Sequence, residues 1–186
     1  MTSVPTVETR RPQRADARRN YDAVLAAARD AFADKGSDTS LEAIAREAGV
    51  GIGTLYRNFP TRQDLVLAVY VDEINDLARV ADEVSSLPPW EALTTWLDRF
   101  VAYAHTKRAL IDGLNRDSAM FQSCREVMYG AGTPLMERAK SAGVVRPDAQ
   151  VDDVLHMITG IIGVEYRTDE QRERVLRMAI DGIRAR

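Results

Sequence analysis

The sequence predicts an all-α protein, and three observations predict it. Apolar residues recur at three- and four-residue steps along most of the chain, and glycines and prolines punctuate those runs at helix-length intervals. No stretch alternates with the period of two that a half-buried strand requires, and no internal repeat is present. The 186 residues, 45% of them hydrophobic, suffice for one to two domains around a substantial core. About nine helices are expected.

From residue 18 onward Tyr21, Val24, Leu25, Ala28 and Phe32 form one stripe, and Gly36 follows where a helix C-cap glycine belongs. Thr39 with Glu42 three residues later reads as a capping box that opens a second, two-turn helix. Leu41, Ile44, Ala45 and Ala48 line its face, and Gly49 stops it. A third short helix spans residues 52–58, and Thr61 after Pro60 caps a fourth that carries Leu65, Val66, Val69, Tyr70 and Leu77 to about residue 84. Leu87-Pro88-Pro89 ends it. Trp90, Leu93, Trp96, Leu97, Phe100, Val101 and Ala104 form a strongly amphipathic fifth helix with a proline in its first turn. Residues 107–116 read as a shorter helix. Residues 118–142 read as another, with a kink or break expected at Gly130-Ala131-Gly132-Thr133-Pro134. Two last helices are expected over residues 150–166 and 168–183, the second opening on Thr168, Asp169 and Glu170.

Composition narrows the function. With 25 Lys+Arg against 28 Asp+Glu the formal charge is -3, so a nucleic-acid site must be local. Through Arg62 there are 10 basic and 8 acidic residues, and 15 against 20 beyond it, so the positive charge is concentrated at the N-terminal end. Arg10, Arg11, Arg14, Arg18 and Arg19 face only Asp16 across that stretch. Residues 1–15 read as a disordered basic arm, either a DNA-seeking extension or a solubilising tail. One cysteine, Cys124, forms no intrachain disulfide, and with His105 and His156 alone no Cys/His zinc site is assembled. No leader or membrane-length apolar run is visible, and a reducing cytoplasm is the expected compartment.

The informative segment is TSLEAIAREAGVGIGTLYRNFPTR, residues 39–62. A capped helix, a small residue at Ala45, a glycine turn at Gly49 and a second short helix follow in the order of a helix-turn-helix. Ala45 lets two helices cross closely, Gly49 supplies a left-handed backbone, and Val50, Leu55 and Phe59 anchor the second helix from beneath. Its outer positions are then Ile52, Gly53, Thr54, Tyr56, Arg57 and Asn58: hydroxyls for phosphates, Arg and Asn for base edges, an apolar group for a thymine methyl. Arg62 in the next helix adds a phosphate contact. For single residues alternatives stand: Arg46 faces phosphate or only solvent, and Asn58 reads a base or caps its own helix.

Ile44-Ala45, Ala48-Gly49-Val50, Gly53-Thr54-Leu55-Tyr56-Arg57, Phe59-Pro60 and Arg62 together closely resemble the DNA-binding domain of TetR/AcrR-type transcriptional regulators. The resemblance covers residues 18–70 by motif and the remainder by helix count and the closing pair of helices. The run 143–148 resembles the SbtR-type subgroup of C-terminal domains. It implies a homodimer, usually a repressor, whose C-terminal domain binds a small-molecule effector. It implies contacts to double-stranded DNA, at a palindromic operator, from Ser40, Ile52, Gly53, Thr54, Tyr56, Arg57, Asn58 and Arg62. One departure is visible: many relatives have Ser where this chain has Gly51, so no hydroxyl-mediated phosphate contact is assigned there. The domains implied are a DNA-binding domain over 16–62 and an effector and dimerisation domain over 63–186.

In the C-terminal half Trp96, Phe100, Tyr103, Met120, Phe121, Cys124, Met128 and Met136 line an apolar effector cavity or form plain core. His105 and His156 recognise an anionic ligand or are hydrogen-bonded structural histidines. Met157, Ile158, Ile161, Ile162 and Val164, with Leu176, Met178, Ala179, Ile180 and Ile183, supply apolar surface for dimerisation through the last two helices, and Gly160 and Gly163 permit close approach; intrachain core is the other reading. No catalytic or cofactor signature is present: there is no Gly-x-Ser-x-Gly elbow and no P-loop, and Gly51-Ile52-Gly53 lacks the third glycine of a dinucleotide fingerprint. Asp153 and His156 have the i, i+3 spacing of a ferritin-like metal motif but not its second copy. No catalytic residue, metal or cofactor is therefore expected. The rival to a DNA-binding regulator is a helical small-molecule-binding or adaptor module without DNA binding.

Overall fold

The computed structural model describes residues 6–7, 11–35, 39–110 and 117–185. Among them the chain forms eight α-helices: α1 (Ala15–Lys35), α2 (Leu41–Glu47), α3 (Ile52–Asn58), α4 (Arg62–Glu83), α5 (Pro89–Leu110), α6 (Ala119–Ser141), α7 (Val151–Ile162) and α8 (Asp169–Asp181). A single 3-10 turn, Val84–Ser86, closes α4. The only extended pairing among the described residues is an isolated bridge between Val145 and Arg184, flanked by Arg146 N–H to the Ile183 carbonyl at 3.0 Å and Ala185 N–H to the Val144 carbonyl at 3.1 Å. It ties the α6–α7 connection to the C-terminal end.

Two of the nine expected helices are one. The fifth helix runs on through Lys107 to Leu110, and the rest of the expected short helix, residues 111–116, lies outside the described residues, as do Gly36 and Arg10. The expected break at residues 130–134 does not occur, since α6 continues through Pro134. Gly130 and Pro134 both lie on its exposed side, so the carbonyl that loses its partner N–H turns to water. Gly132 faces inward, and a Cβ there would fall 2.4 Å from the Trp96 ring, so the residue that looked like a breaker is where α6 crosses α5 closely. The N-cap of α2 is Ser40, whose hydroxyl accepts the Ala43 N–H at 3.1 Å; Thr39 is buried and donates to the Ala31 carbonyl at 3.2 Å, joining α2 to α1.

Around α4 the other helices assemble. Its N-terminus carries the reciprocal Thr61–Asp64 capping box, and its inner face buries Leu65, Val66, Val69, Tyr70, Ile74 and Leu77. α1 packs on its first half, α5 and α6 on its length. Trp96 is fully buried and donates its indole N–H to the Leu77 carbonyl at 3.1 Å, which satisfies the one polar atom of a large apolar ring. At the far end Arg138 donates to the Ser85 and Leu87 carbonyls, and Arg108 donates to the Ile162 carbonyl at 2.8 Å, placing a cation at the C-terminus of α7.

Within the stretch 1–15 read as a disordered basic arm, the described residues 6–7 and 11–15 include contacts with the helices. Val7 is buried, and Asn75 of α4 brackets its backbone, accepting its N–H at 2.7 Å and donating to its carbonyl at 3.0 Å. Arg11 pairs with Asp22 at 3.0 Å and Asp72 at 3.1 Å. Burial of one valine and satisfaction of its amide outweigh the polar composition that argued for a loose arm.

Candidate DNA-binding surface and effector cleft

The turn between α2 and α3 follows from three backbone bonds. Ala48 N–H bonds the Ile44 carbonyl at 2.9 Å, Gly49 N–H that of Arg46 at 3.1 Å, and Val50 N–H that of Ala45 at 3.0 Å. With Gly49 at φ 67°, this is a Schellman cap, and it sets the angle at which α3 leaves. Ala45, Leu55 and Phe59 are buried, and Phe59 packs on Tyr21 of α1 with ring centroids 4.8 Å apart. The inner face of α3 is thereby fixed on α1 and α2. Its outer face carries Ile52 at 38% exposure and Tyr56 at 44%, with Gly53 and Arg57 also exposed and no acidic residue in the helix.

The predicted contact residues divide into two groups. Ile52, Gly53, Tyr56 and Arg57 face outward, with Arg57 Nη2 donating to the Thr54 hydroxyl at 3.1 Å, which holds the guanidinium along the helix. Asn58 and Arg62 are half-buried and already engaged: Asn58 donates to the Thr54 carbonyl at 2.9 Å, and Arg62 Nη1 to the Thr39 carbonyl at 2.7 Å. Arg62 thus fastens the start of α4 to the start of α2. Ser40 is exposed at the α2 N-terminus, and Gly51 caps α3 without a side-chain bond.

A chain of ion pairs joins this head to the body. Glu73 of α4, 1% exposed, stands between Arg29 of α1 at 2.5 Å and Arg99 of α5 at 3.0 Å. Arg29 also reaches Asp72 at 2.6 Å, and Arg99 reaches Asp76. Burial pushes the Asp76 carboxyl up, but hydrogen bonds and charge from Arg99 and Arg79 outweigh it and hold the group below the usual carboxylate range.

In the body, α5, α6 and α7 enclose a cleft of about 220 Å³. Of the residues expected at a cavity, Phe100, Tyr103, Phe121 and Met128 line it. Trp96 sits behind it, ring-stacked on Phe100 at 6.1 Å. Cys124 and Met136 are core, and burial pushes the Cys124 thiol up to about 12, which leaves it a protonated, unreactive group. Met120 instead faces a separate groove beside Phe59 and Leu67. Unforeseen are Lys107, Arg125 and Tyr129 on the cleft wall. Their signal was present as i, i+4 steps, Tyr103 to Lys107 and Phe121 to Arg125 to Tyr129, which place each cation on the face of an aromatic. His156 also borders the cleft, its Nδ1 2.8 Å from the Asp152 carbonyl, whereas His105 lies half-buried, held below its ordinary value by burial and by Arg172 and Arg108.

At the cleft floor Tyr70 of α4 stacks on Phe121 with centroids 5.4 Å apart and planes 4° from parallel, and its hydroxyl lies 3.4 Å from that of Tyr103. Burial pushes the Tyr70 phenol up to about 12 and that of Tyr103 well above its ordinary value. Both are neutral hydrogen-bonding groups, Tyr70 on α4, which follows α3, and Tyr103 on α5.

Of the apolar residues expected at a dimer surface, Ile158, Ile162, Leu176 and Ile183 are buried within the chain, because α7 packs on α5 and α8 on α7. Val164 and Met178 remain exposed, at 53% and 73%, and a Cβ on Gly160 would meet nothing within 4 Å. No described helix is long and apolar enough to cross a membrane, and the described residues hold no group of three potential metal ligands.

A helix-turn-helix head on a helical body defines a class, the DNA-binding transcriptional regulators. Within it the chain belongs to the TetR family of transcriptional regulators: residues 24–69 match the family described as bacterial regulatory proteins, tetR family, and residues 88–185 that described as transcriptional regulator SbtR-like, C-terminal domain. It is similar to a TetR transcriptional regulator from Streptomyces coelicolor, at 41% identity over 88% of this chain and 98% of that one, with a TM-score of 0.74. A TetR regulatory protein from Mycobacterium vanbaalenii is 33% identical over 94% of this chain and 100% of that one, also with a TM-score of 0.74. No curated protein matches.

Proposed function

We propose that the protein is a ligand-responsive homodimeric repressor that binds a palindromic operator. Residues 16–62 act as the DNA-binding domain and 63–186 as the effector and dimerisation domain. Two copies of α3 enter successive major grooves, about 34–36 Å apart. Tyr56 and Arg57 contact phosphate and base edges, Ile52 a thymine methyl, and Thr54 and Ser40 the backbone. Asn58 and Arg62 contribute by exchanging their present intrachain bonds for phosphate, or by holding α3 and α4 in place. The observation that carries the reading is Gly53: it is exposed inside a helix, and a Cβ there would meet nothing within 4 Å. It lies in the first turn of α3, and no packing within the chain requires a glycine there. Close approach of a partner backbone, such as the sugar-phosphate of DNA, does.

Dimerisation through α7 and α8 would cover Met178 and Val164 and use the open face of Gly160. An effector bound in the body then shifts the separation of the two α3 helices through α4, which carries Arg62 at its start and Tyr70 two turns on. Selection of duplexes from a random pool tests the reading, with wild type beside the Tyr56→Ala/Arg57→Ala variant. A palindrome enriched by wild type alone is expected, with variant affinity lowered at least about 100-fold and an unchanged melting temperature, both side chains being exposed. No enrichment by either protein would leave a helical ligand-binding module in its place.

A further inference from the structure

The segment ahead of α1 is fastened along one side of the molecule by contacts that neither the DNA-binding surface nor the cleft uses. Asn75 stands in the interior of α4, a position that disfavours asparagine because its side chain competes for backbone hydrogen bonds. Here that capacity is directed to another part of the chain. One carboxamide accepts the Val7 N–H at 2.7 Å and donates to the Val7 carbonyl at 3.0 Å, the pair of bonds that a neighbouring strand would offer. The Val7 side chain is buried beside it. Four residues on, Arg11 pairs with Asp22 of α1 at 3.0 Å and with Asp72 of α4 at 3.1 Å.

These anchors join different parts of the protein. Asp22 belongs to the helix on which α3 rests through the packing of Tyr21 on Phe59, whereas Asp72 and Asn75 lie beyond Tyr70 on α4. Asp72 is also held by Arg29, which continues to Glu73 and so to Arg99 of α5. The segment is thus plugged into the ion chain that joins head to body. Its other side is not packed: Thr6 and Val7 border an open space of about 500 Å³ whose far wall is α6, with Ser123, Glu126 and Val127. A segment held by one amide, one buried side chain and two ion pairs, with space beside it, can leave without parting the helices from one another.

We propose that the segment anchored at Val7 and Arg11 is a detachable strap. Docked, it fixes the head at one angle on α4; released, it leaves α1, and the α3 that rests on it, free to move against the body. The consequence for DNA rests on the reading of the protein as an operator-binding regulator: release lowers operator affinity by reducing the fraction of molecules whose α3 helices stand at the operator spacing.

Distances between spin labels on the full chain test the inference. Glu47 of α2 and Glu137 of α6 are exposed, one in the head and one in the body. Glu47→Cys and Glu137→Cys carry the nitroxides, Cys124 is buried and stays unlabelled, and dilution with unlabelled protein leaves the intrachain pair to be read. Without further change one narrow distribution is expected. Val7→Asp removes the burial outside any helix, and Asn75→Ala removes the bracket while favouring α4. Each is expected to broaden the distribution, and the two together to broaden it no further, because both act on one docking event. Helix content and cooperative melting should persist, and operator affinity should fall about fivefold in each variant. The proposal is overturned if either single variant keeps the narrow distribution, if the two effects add, if cooperative melting is lost, or if distances broaden while operator affinity holds. A chain that selects no operator sinks the regulator reading alone, since the distances are measured without DNA and still decide whether the strap holds the head.

Discussion

Gly53 sits inside α3 with open space where a Cβ would go, whereas a Cβ on Gly132 of α6 would fall 2.4 Å from the indole of Trp96. Gly132, in the interior of its helix, weakens it by about 0.5–1 kcal/mol, and Gly53, in the first turn of α3, weakens its own by less. For Gly132 the compensation is internal, since α6 can lie against the ring that α5 presents. For Gly53 nothing within the chain compensates, and the reason lies outside it. The same division runs through the charges. Glu73 is buried between two arginines of different helices, while Arg57 touches only its own helix and faces solvent. Gly132 and Glu73 belong to the scaffold, whereas Gly53 and Arg57 sit on a face of α3 that the scaffold does not use.

Substitutions can break that division, and the largest effect is expected at Glu73. Glu73→Gln leaves Arg29 and Arg99 without their shared partner, and loss of one member of a buried pair commonly costs about 3–5 kcal/mol. Because Arg29 retains Asp72 and Arg99 retains Asp76, the expected loss is about 2–3 kcal/mol, read from urea unfolding of the wild type and variant. A midpoint unchanged within error would show the ion chain to be a bystander.

Gly132→Ala should follow. Overpacking costs about 1–3 kcal/mol and the better helix former returns about 0.5–1, so a net loss of about 1–2 kcal/mol is expected. Adding Trp96→Phe should return part of this loss relative to Trp96→Phe alone; a double-mutant cycle without coupling would separate Gly132 from the indole. The smallest change in stability, and the one of opposite sign, is expected for Gly53→Ala. The helix gains up to about 0.5 kcal/mol, less than a mid-helix glycine would return, while operator affinity falls about tenfold, measured by thermal melting and by DNA titration on the same preparation. If affinity held as stability rose, Gly53 would need another explanation.

The head of the molecule was legible because its features are local. Gly49 needs a left-handed backbone, Thr61 caps α4 through Asp64 three residues on, and Leu55 and Phe59 lie four apart on one face, so each sits within a few residues of its physical cause. The Ser40 cap was missed by one position because Thr39, equally suited by chemistry, was drawn to the Ala31 carbonyl eight residues back. Gly130 to Pro134 misled for the same reason. Local propensity argued for a break, and the crossing of α6 over Trp96, with Pro134 on the wet side, decided for a continuous helix.

Periodicity, caps and the motif over residues 39–62 thus determined by themselves the all-α class, the helix-turn-helix and the family, since these depend on short-range backbone and packing requirements. The cleft depended on contacts at long separation. Lys107 and Arg125 come from two helices, and only their packing brings both to the wall of one cleft. Tertiary structure likewise decided that Val7 is docked against α4, that Ile158, Ile162, Leu176 and Ile183 of the expected dimer surface are core, and that Glu73 joins head to body. The burial that makes each of these contacts count is set by the whole fold and by no single stretch of the chain.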